Sequence, residues 1–188
     1  VLIDHAQKLA EKIRISGGGR CNFTNRHTGS ERFISNNPHF CRSALARFTP
    51  QDFIALLEKH GISYHEKKLG QLFCDDSSQH IIDMLKNECD DAGVQWLMPS
   101  QVNRIEPFTA DGDSSSGNLR FRVMTDRDRI ATRSVVVATG GLSIPQIGAT
   151  ALGYHIASQF GINVTSLRPG LVGLTFAAED FMAFKDIP

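Results

Sequence analysis

Apolar positions along the chain fall into short runs divided by polar or glycine-rich stretches, and the spacing within each run changes along its length. Val1 to Ile3 is an apolar run closed by Asp4, the pattern of the carboxyl end of a buried strand. Residues 5–12 are polar and loop-like. Ile13 and Ile15 alternate with Arg14 and stop at Gly17, Gly18 and Gly19, which reads as a second strand end, and residues 22–40 have no period. From Thr49 the spacing becomes helical. Thr49 can cap, Pro50 suits the first helical position, and Asp52 completes a capping-box pattern. Phe53, Leu56 and Leu57 then share a face, and Gly61 stops the helix.

A second helix is predicted from Ser77 or Ser78, with Ile81, Ile82, Leu85, Cys89 and Ala92 on its face and Gly93 as its stop. Between the two helices, "ISYHEKKLGQLFC" reads as short strands around a glycine turn. "VQWL", "QVNRIEPF" and the alternating Leu119, Phe121 and Val123 read as further strands, with Asp111 to Asn118 as a polar hairpin loop. Val135 to Ala138 is continuously apolar, as in a strand buried on both faces of a parallel sheet, and it ends at Thr139-Gly140-Gly141. A third helix is predicted over about residues 150–160, burying Leu152, Ile156 and Phe160. Strands alternating with helices make the chain α/β.

Composition changes this picture little. The chain has 188 residues, 41% hydrophobic and 21% charged, with a formal net charge of +0, the balance of an ordinary globular protein. Nothing global points to nucleic acid or to a membrane surface, and no apolar stretch approaches a membrane span. Residues 1–50 do carry a cationic surplus, eight Lys and Arg against three Asp and Glu. That surplus suits an anionic ligand near the glycines, or simply a solvated basic face. An RNA-binding reading rests on it alone, without an aromatic-rich basic motif. Cys21, Cys41, Cys74 and Cys89 form no CxxC pair and no zinc-ligand spacing, so free thiols in a reducing cytoplasm are expected and no metal site is. The chain opens inside an apolar run and closes on the start of a new element, so it reads as a piece of a longer protein, with a first domain over 1–168 and the beginning of a second over 169–188.

The chemistry concentrates at strand ends, where ligands bind in open α/β sheets. Three glycines in succession let a ligand approach bare backbone, or else make a flexible turn. Ser16, Asn22, Thr24 and Asn25 flank them with short donors and acceptors, and Arg20 adds a fixed cation. Together these suit an extended, anionic molecule. Asp4 stands where the acidic residue of a Rossmann unit accepts hydrogen bonds from a ribose, and also where a strand terminator would stand. Beside Arg20 the Cys21 thiolate would be favoured, but with no partner at CxxC spacing a packed, inert thiol is the plainer reading. His27 and His39 are either proton donors to a substrate or surface histidines.

"KIRISGGGRCNFTN" and "VVVATGGLSIPQIGATALGYHIASQFG", with "LGQLFCDDSSQHIIDML" and "RPGLVGLTF" in the same order, closely resemble the YhiN/BaiN-type NAD(P)/FAD-dependent oxidoreductases. The resemblance covers essentially the whole chain. It implies a partial Rossmann-like FAD-binding domain, lacking the strand that carries GxGxxG, and FAD as cofactor with NAD(P)H as co-substrate. By matching position, Asp4 would bind the adenosine ribose, while Lys12 and Ser16, Gly17, Gly18, Gly19, Arg20, Cys21, Asn22, Thr24 and Asn25 would run along the FAD. Val102 would offer its backbone to the adenine end, and Thr139, Gly140 and Gly141 would approach the pyrophosphate and ribityl region. Asp4 stands where the family more often has Glu, and "GATALGY" replaces a more glycine- and serine-rich pattern. The expected activity is hydride transfer between NAD(P)H, flavin and a small organic substrate, with no nucleic acid or membrane partner and no catalytic acid or base identified. The rival reading is a non-catalytic remnant that keeps the fold without retaining cofactor.

Overall fold

The structure, a computed structural model, describes residues 1–108 and 118–169. The polar loop expected at 111–118 and the second-domain start expected at 169–188 therefore lie almost wholly outside the described residues.

The first strand, β1 (Leu2–Ile3), is followed by the short helix α1 (Glu11–Ile15), a tight turn over Ser16–Gly19, and β2 (Asn22–Asn25). Two helices come next, α2 (Arg42–Arg47) and α3 (Pro50–Lys59). At α3 the Thr49 hydroxyl accepts from the Asp52 amide at 3.2 Å, and the Asp52 carboxylate accepts from the Thr49 amide at 2.7 Å. This reciprocal cap satisfies two donors that a helix start would otherwise leave open. The hairpin β3 (Tyr64–Glu66) and β4 (Gln71–Cys74) leads to α4 (Ser78–Asp91), capped by Ser77. Then come β5 (Trp96–Leu97), β6 (Val102–Pro107), β7 (Phe121–Thr125), β8 (Arg129–Thr132) and α5 (Leu152–Gln159).

These elements form three small sheets. β1 and β5 pair in parallel, β2-β4-β3 is antiparallel, and β6-β7-β8 is an antiparallel meander. The fold is mixed α/β, as the alternation of strands and helices predicts, with one parallel pair beside two antiparallel sheets. Two apolar clusters hold it. Leu57 of α3, Cys74 of β4 and Ile81 and Met84 of α4 close over Cys21 in one, and Ile105, Val123 and Ile156 form the other beneath α5. Burying a side chain such as Leu57 or Ile81 contributes about 1.5–3 kcal/mol, so the helical spacing of α3 and α4 is converted directly into packing.

Two expectations are corrected. The alternation Ile13-Arg14-Ile15 is a helical turn and not a strand: the Arg14 amide donates to the Ala10 carbonyl at 3.0 Å, and the Ser78 hydroxyl donates to the Arg14 carbonyl at 3.1 Å. Docking against α4 decides the conformation of a segment too short to decide it alone. Val135 to Ala138 is likewise not a strand buried on both faces. No ladder forms along it among the described residues, and Val136 is 87% exposed. A doubly buried strand needs a hydrogen-bonded neighbour on each edge, and the described residues supply none. Two elements carried no readable signal, β8 and α2, because each is short and mostly exposed.

Candidate functional site

A cavity of about 910 Å³ opens between β1, the meander and the chain from Val135 to Leu152. Asp4 enters it at the end of β1. The strand pairing continues past Ile3, since the Asp4 amide donates to the Leu97 carbonyl at 3.2 Å and the Ser100 amide donates to the Asp4 carbonyl at 2.8 Å. These bonds hold the Asp4 backbone, while one carboxylate oxygen, Oδ1, accepts from the Ala6 amide at 2.9 Å. The side chain stays 39% exposed, with His5 Nδ1 at 3.6 Å.

Lys12 reaches the same cavity from α1 and donates from Nζ to the Ser143 hydroxyl at 2.7 Å. Val102 lies on the cavity wall from β6, and Thr139, Gly140 and Gly141 form part of its rim. Gly140 has φ +70°, and a Cβ built on it would meet open space. At Gly153 a Cβ would lie 2.6 Å from Thr139 Oγ1, so the absent side chain lets α5 close on the Thr139 turn. Six of the sequence-derived site residues therefore converge on one cavity: Asp4, Lys12, Val102, Thr139, Gly140 and Gly141.

The glycine-run residues lie apart from it. Gly17, Gly18 and Gly19 all adopt positive φ, +58°, +66° and +86°, the region that glycine enters without steric cost. They turn the chain from α1 into β2, with the Cys21 amide donating back to the Ser16 carbonyl at 3.0 Å and the Ser16 hydroxyl donating to the Ile13 carbonyl at 3.2 Å. A Cβ on Gly17 would sit 2.7 Å from the Phe73 ring and 2.8 Å from the Asn22 amide nitrogen, whereas Gly18 and Gly19 face open space. Arg20 and Asn22 are exposed, and Thr24 is half-buried on β2. The Asn25 amide donates to the Leu69 carbonyl at 2.8 Å while its oxygen accepts from the His27 amide, so it stitches β2 to the β3–β4 turn. Cys21 is buried, and burial pushes its thiol above the ordinary range against a hydrogen bond with Ser16 that pulls the other way. The run meets the cavity through Lys12, one helical turn before Ser16.

Ligand chemistry can be judged from the donor set. One exposed carboxylate, one ammonium, a glycine rim and walls from Ile3, Val102, Ile147 and Leu152 suit a molecule with hydroxyls, negative charge and flat apolar area. A dinucleotide cofactor has all three, so the residues present fit it.

A family model described as "HI0933-like protein Rossmann domain" matches residues 1–188. The chain belongs to the HI0933-like Rossmann-domain family. This agrees with the resemblance carried by the glycine-run motif. The chain is 50% identical over 175 residues to the ribosomal RNA dihydrouridine synthase of Escherichia coli, covering 93% of this chain and 42% of that protein. With the protein of the same name from Haemophilus influenzae it shares 45% identity over 179 residues, 95% of this chain and 43% of that one. The 3-dehydro-bile acid delta(4,6)-reductase of Clostridium scindens is 22% identical over 181 residues, which are 96% of this chain and 42% of that protein. The chain thus spans about two fifths of the length of these relatives, all of which are named as enzymes.

Within this HI0933-like domain, sequence reasoning missed three residues of the cavity. His5 packs under Gly148, where a Cβ would lie 2.6 Å from its Nε2, and Ser143 receives Lys12. Ile147 lines the wall beyond a corner at Ile144, a β-branched residue at φ +58° directly before Pro145. Both features disfavour that backbone region, so the tertiary structure holds the corner. The signal available was the dipeptide Ile144-Pro145, which marks a break without saying what gathers around it.

Proposed function

We propose that the intact protein is an FAD-dependent reductase that saturates a conjugated carbon–carbon double bond, and that its acceptor is a uridine of ribosomal RNA. The observation that carries the cofactor is the convergence of Asp4, Lys12, Val102 and Thr139 to Gly141 on one cavity although they lie far apart in the chain. When bound, FAD supplies two-electron hydride chemistry, with NAD(P)H as the proposed source. This chain's residues bind and orient it. The open face of the Asp4 carboxylate accepts from ribose hydroxyls, the Lys12 ammonium balances pyrophosphate charge, and Gly140 and Gly141 admit the ligand to bare backbone.

The acceptor rests on the names of the two relatives at 50% and 45% identity. Making dihydrouridine from uridine adds a hydride to one carbon of the C5=C6 bond and a proton to the other. The name of the third relative, a delta(4,6)-reductase, also implies double-bond reduction. A shared reaction type across 22% identity favours reduction of a double bond. The small organic acceptor expected from the sequence alone is the competing substrate.

The test uses the full-length protein. It should purify with stoichiometric flavin, oxidise NAD(P)H, and add two hydrogens to uridine in unmodified ribosomal RNA, read by mass spectrometry of the nucleosides. A colourless protein that takes up no added FAD would overturn the cofactor and leave the remnant reading. A yellow protein that reduces no uridine would overturn the acceptor.

A further inference from the structure

We propose that the segment from Gly29 to Phe48 is the surface on which ribosomal RNA docks, with bases stacked on Phe33 and Phe40 and phosphates held by Arg32, Arg42 and Arg47; this rests on the RNA acceptor proposed above. Every residue from Glu31 to Phe40 is exposed. Phe33 is 48% exposed, Phe40 81% and Phe48 56%. Three large aromatic rings left in water within one short stretch of chain suit an interaction surface, because burying such area is ordinarily favourable.

Charge selects the partner. Residues 26–48 contain four arginines and one acidic residue, Glu31. Glu31 is 66% exposed and only 3.6 Å from Arg32, a weak pair in water. Arg42 contacts His39 Nδ1 at 3.1 Å, and Arg47 has no ion-pair partner among the described residues. Arginines interspersed with exposed aromatic rings match a polyanion with flat bases: the cations track phosphates and the rings accept stacked bases irrespective of sequence. The aromatic component escapes a reading of the sequence because Phe33, Phe40 and Phe48 look like core residues until their exposure is known.

The segment is held at both ends. At its start the Arg26 amide donates to the Gly70 carbonyl at 2.9 Å and its guanidinium pairs with Glu66 at 2.8 Å. At its end Phe48 packs edge-on against Phe53 with centroids 6.2 Å apart, next to the Thr49 cap. The first anchor brings up a second exposed apolar tip with two cations beside it. Leu69 is 87% exposed in a left-handed conformation at φ +58° and follows Lys67 and Lys68. β2 connects the glycine run directly to the segment, so RNA seated here lies close in the chain to the residues that the resemblance places along the cofactor.

The experiment uses the full-length protein and a labelled single-stranded ribosomal RNA oligonucleotide containing uridine, read by fluorescence anisotropy over a salt series. Two double variants are compared with the wild type: Phe33→Ala with Phe40→Ala, and Arg42→Glu with Arg47→Glu. Each should weaken binding by about tenfold or more. The arginine pair should also reduce the salt slope by about two, and the phenylalanine pair should leave it unchanged. Flavin absorbance, flavin reduction by NAD(P)H in the absence of RNA and the melting temperature should match the wild type in both. Variants that bind RNA as the wild type does would overturn the docking surface while leaving the uridine reading intact. Variants that lower the melting temperature and spare RNA affinity would overturn it in favour of another part of the same protein covering these rings. A flavin-bearing wild type that neither binds nor reduces the RNA would overturn the acceptor and this surface together.

Discussion

Lys12 and Ser143 are 131 residues apart in the chain, yet the Lys12 ammonium donates to the Ser143 hydroxyl at 2.7 Å. The contact ties α1, and through it the glycine run, to the rim that follows Thr139-Gly140-Gly141. It brings a cation to the cavity that the Asp4 carboxylate also lines.

Lys12→Met in the full-length protein should therefore weaken FAD binding by about tenfold, the scale of one charge-assisted hydrogen bond. The melting temperature should hardly move, because an exposed hydrogen bond contributes little to stability. Ser143→Ala should cost less, since it leaves the charge in place. Titration of the apoprotein with FAD checks this. Equal affinity in Lys12→Met and wild type would remove Lys12 from the binding residues.

Asp4→Ala should lower FAD affinity by roughly ten- to a hundredfold, the range for a hydrogen bond to a charged group. The absorbance of bound flavin should barely change, because the ribose lies at the far end of the cofactor from the isoalloxazine. Asp4→Asn should cost less, as its amide oxygen can still accept from the Ala6 amide and from a hydroxyl. An unchanged dissociation constant in Asp4→Ala would reduce Asp4 to a strand terminator.

The glycines of the run should separate into two kinds. Gly17→Ala forces a left-handed alanine against the Phe73 ring and the Asn22 backbone, and should cost about 2–4 kcal/mol of stability. Gly18→Ala meets open space and should cost only the backbone strain of about 1–2 kcal/mol. If the run follows the cofactor as the resemblance implies, although it lies outside the cavity, Gly18→Val should affect flavin retention in the full-length protein more than folding. Thermal melts alongside flavin absorbance make the comparison, and equal loss of folding at both positions would refute it.

Thiol reactivity should follow burial. Cys74 is fully buried, and burial, with the neighbouring Cys21, Asp75 and Asp76 charges, pushes its thiol up to about 11. About one in a thousand molecules then carries the thiolate at pH 8. Iodoacetamide at that pH should modify the partly exposed Cys41 and Cys89 first, as read by peptide mass spectrometry. A thiol whose folded pKa is raised adds stability below its unfolded pKa and loses it as pH climbs through the folded value. Stability should accordingly fall between about pH 9 and 11, less steeply in Cys74→Ala. Early labelling of Cys74 in the native protein would contradict the packing described.

Local signals survive into the fold wherever the physics is local. Thr49, Pro50 and Asp52 specify the start of α3 through contacts within four residues, and Ile81, Ile82 and Leu85 share a face of α4 because the helix itself sets the spacing. Alternation in Tyr64–Glu66 and Phe121–Thr125 yields strands for the same reason, and three consecutive glycines yield a left-handed turn that other residues resist. The sequence by itself thus determined the α/β class, the two long helices, the antiparallel pairs and the identity of the polar residues available to a ligand.

Tertiary structure decided what those residues do together. Ile13-Arg14-Ile15 fits a strand as well as a helical turn, and only the contact of Arg14 with Ser78 and Gln79 makes it helix. Val135 to Ala138 has the composition of an inner strand, yet it lines a cavity, because strand identity depends on neighbours that composition does not specify. The meeting of Asp4, Lys12, Val102 and Gly140 in one cavity arises from contacts between segments far apart in the chain, and the exposure of Phe33 and Phe40 depends on which distant segments leave them uncovered. Such contacts have no period and no spacing, so they come into being only when the chain closes on itself.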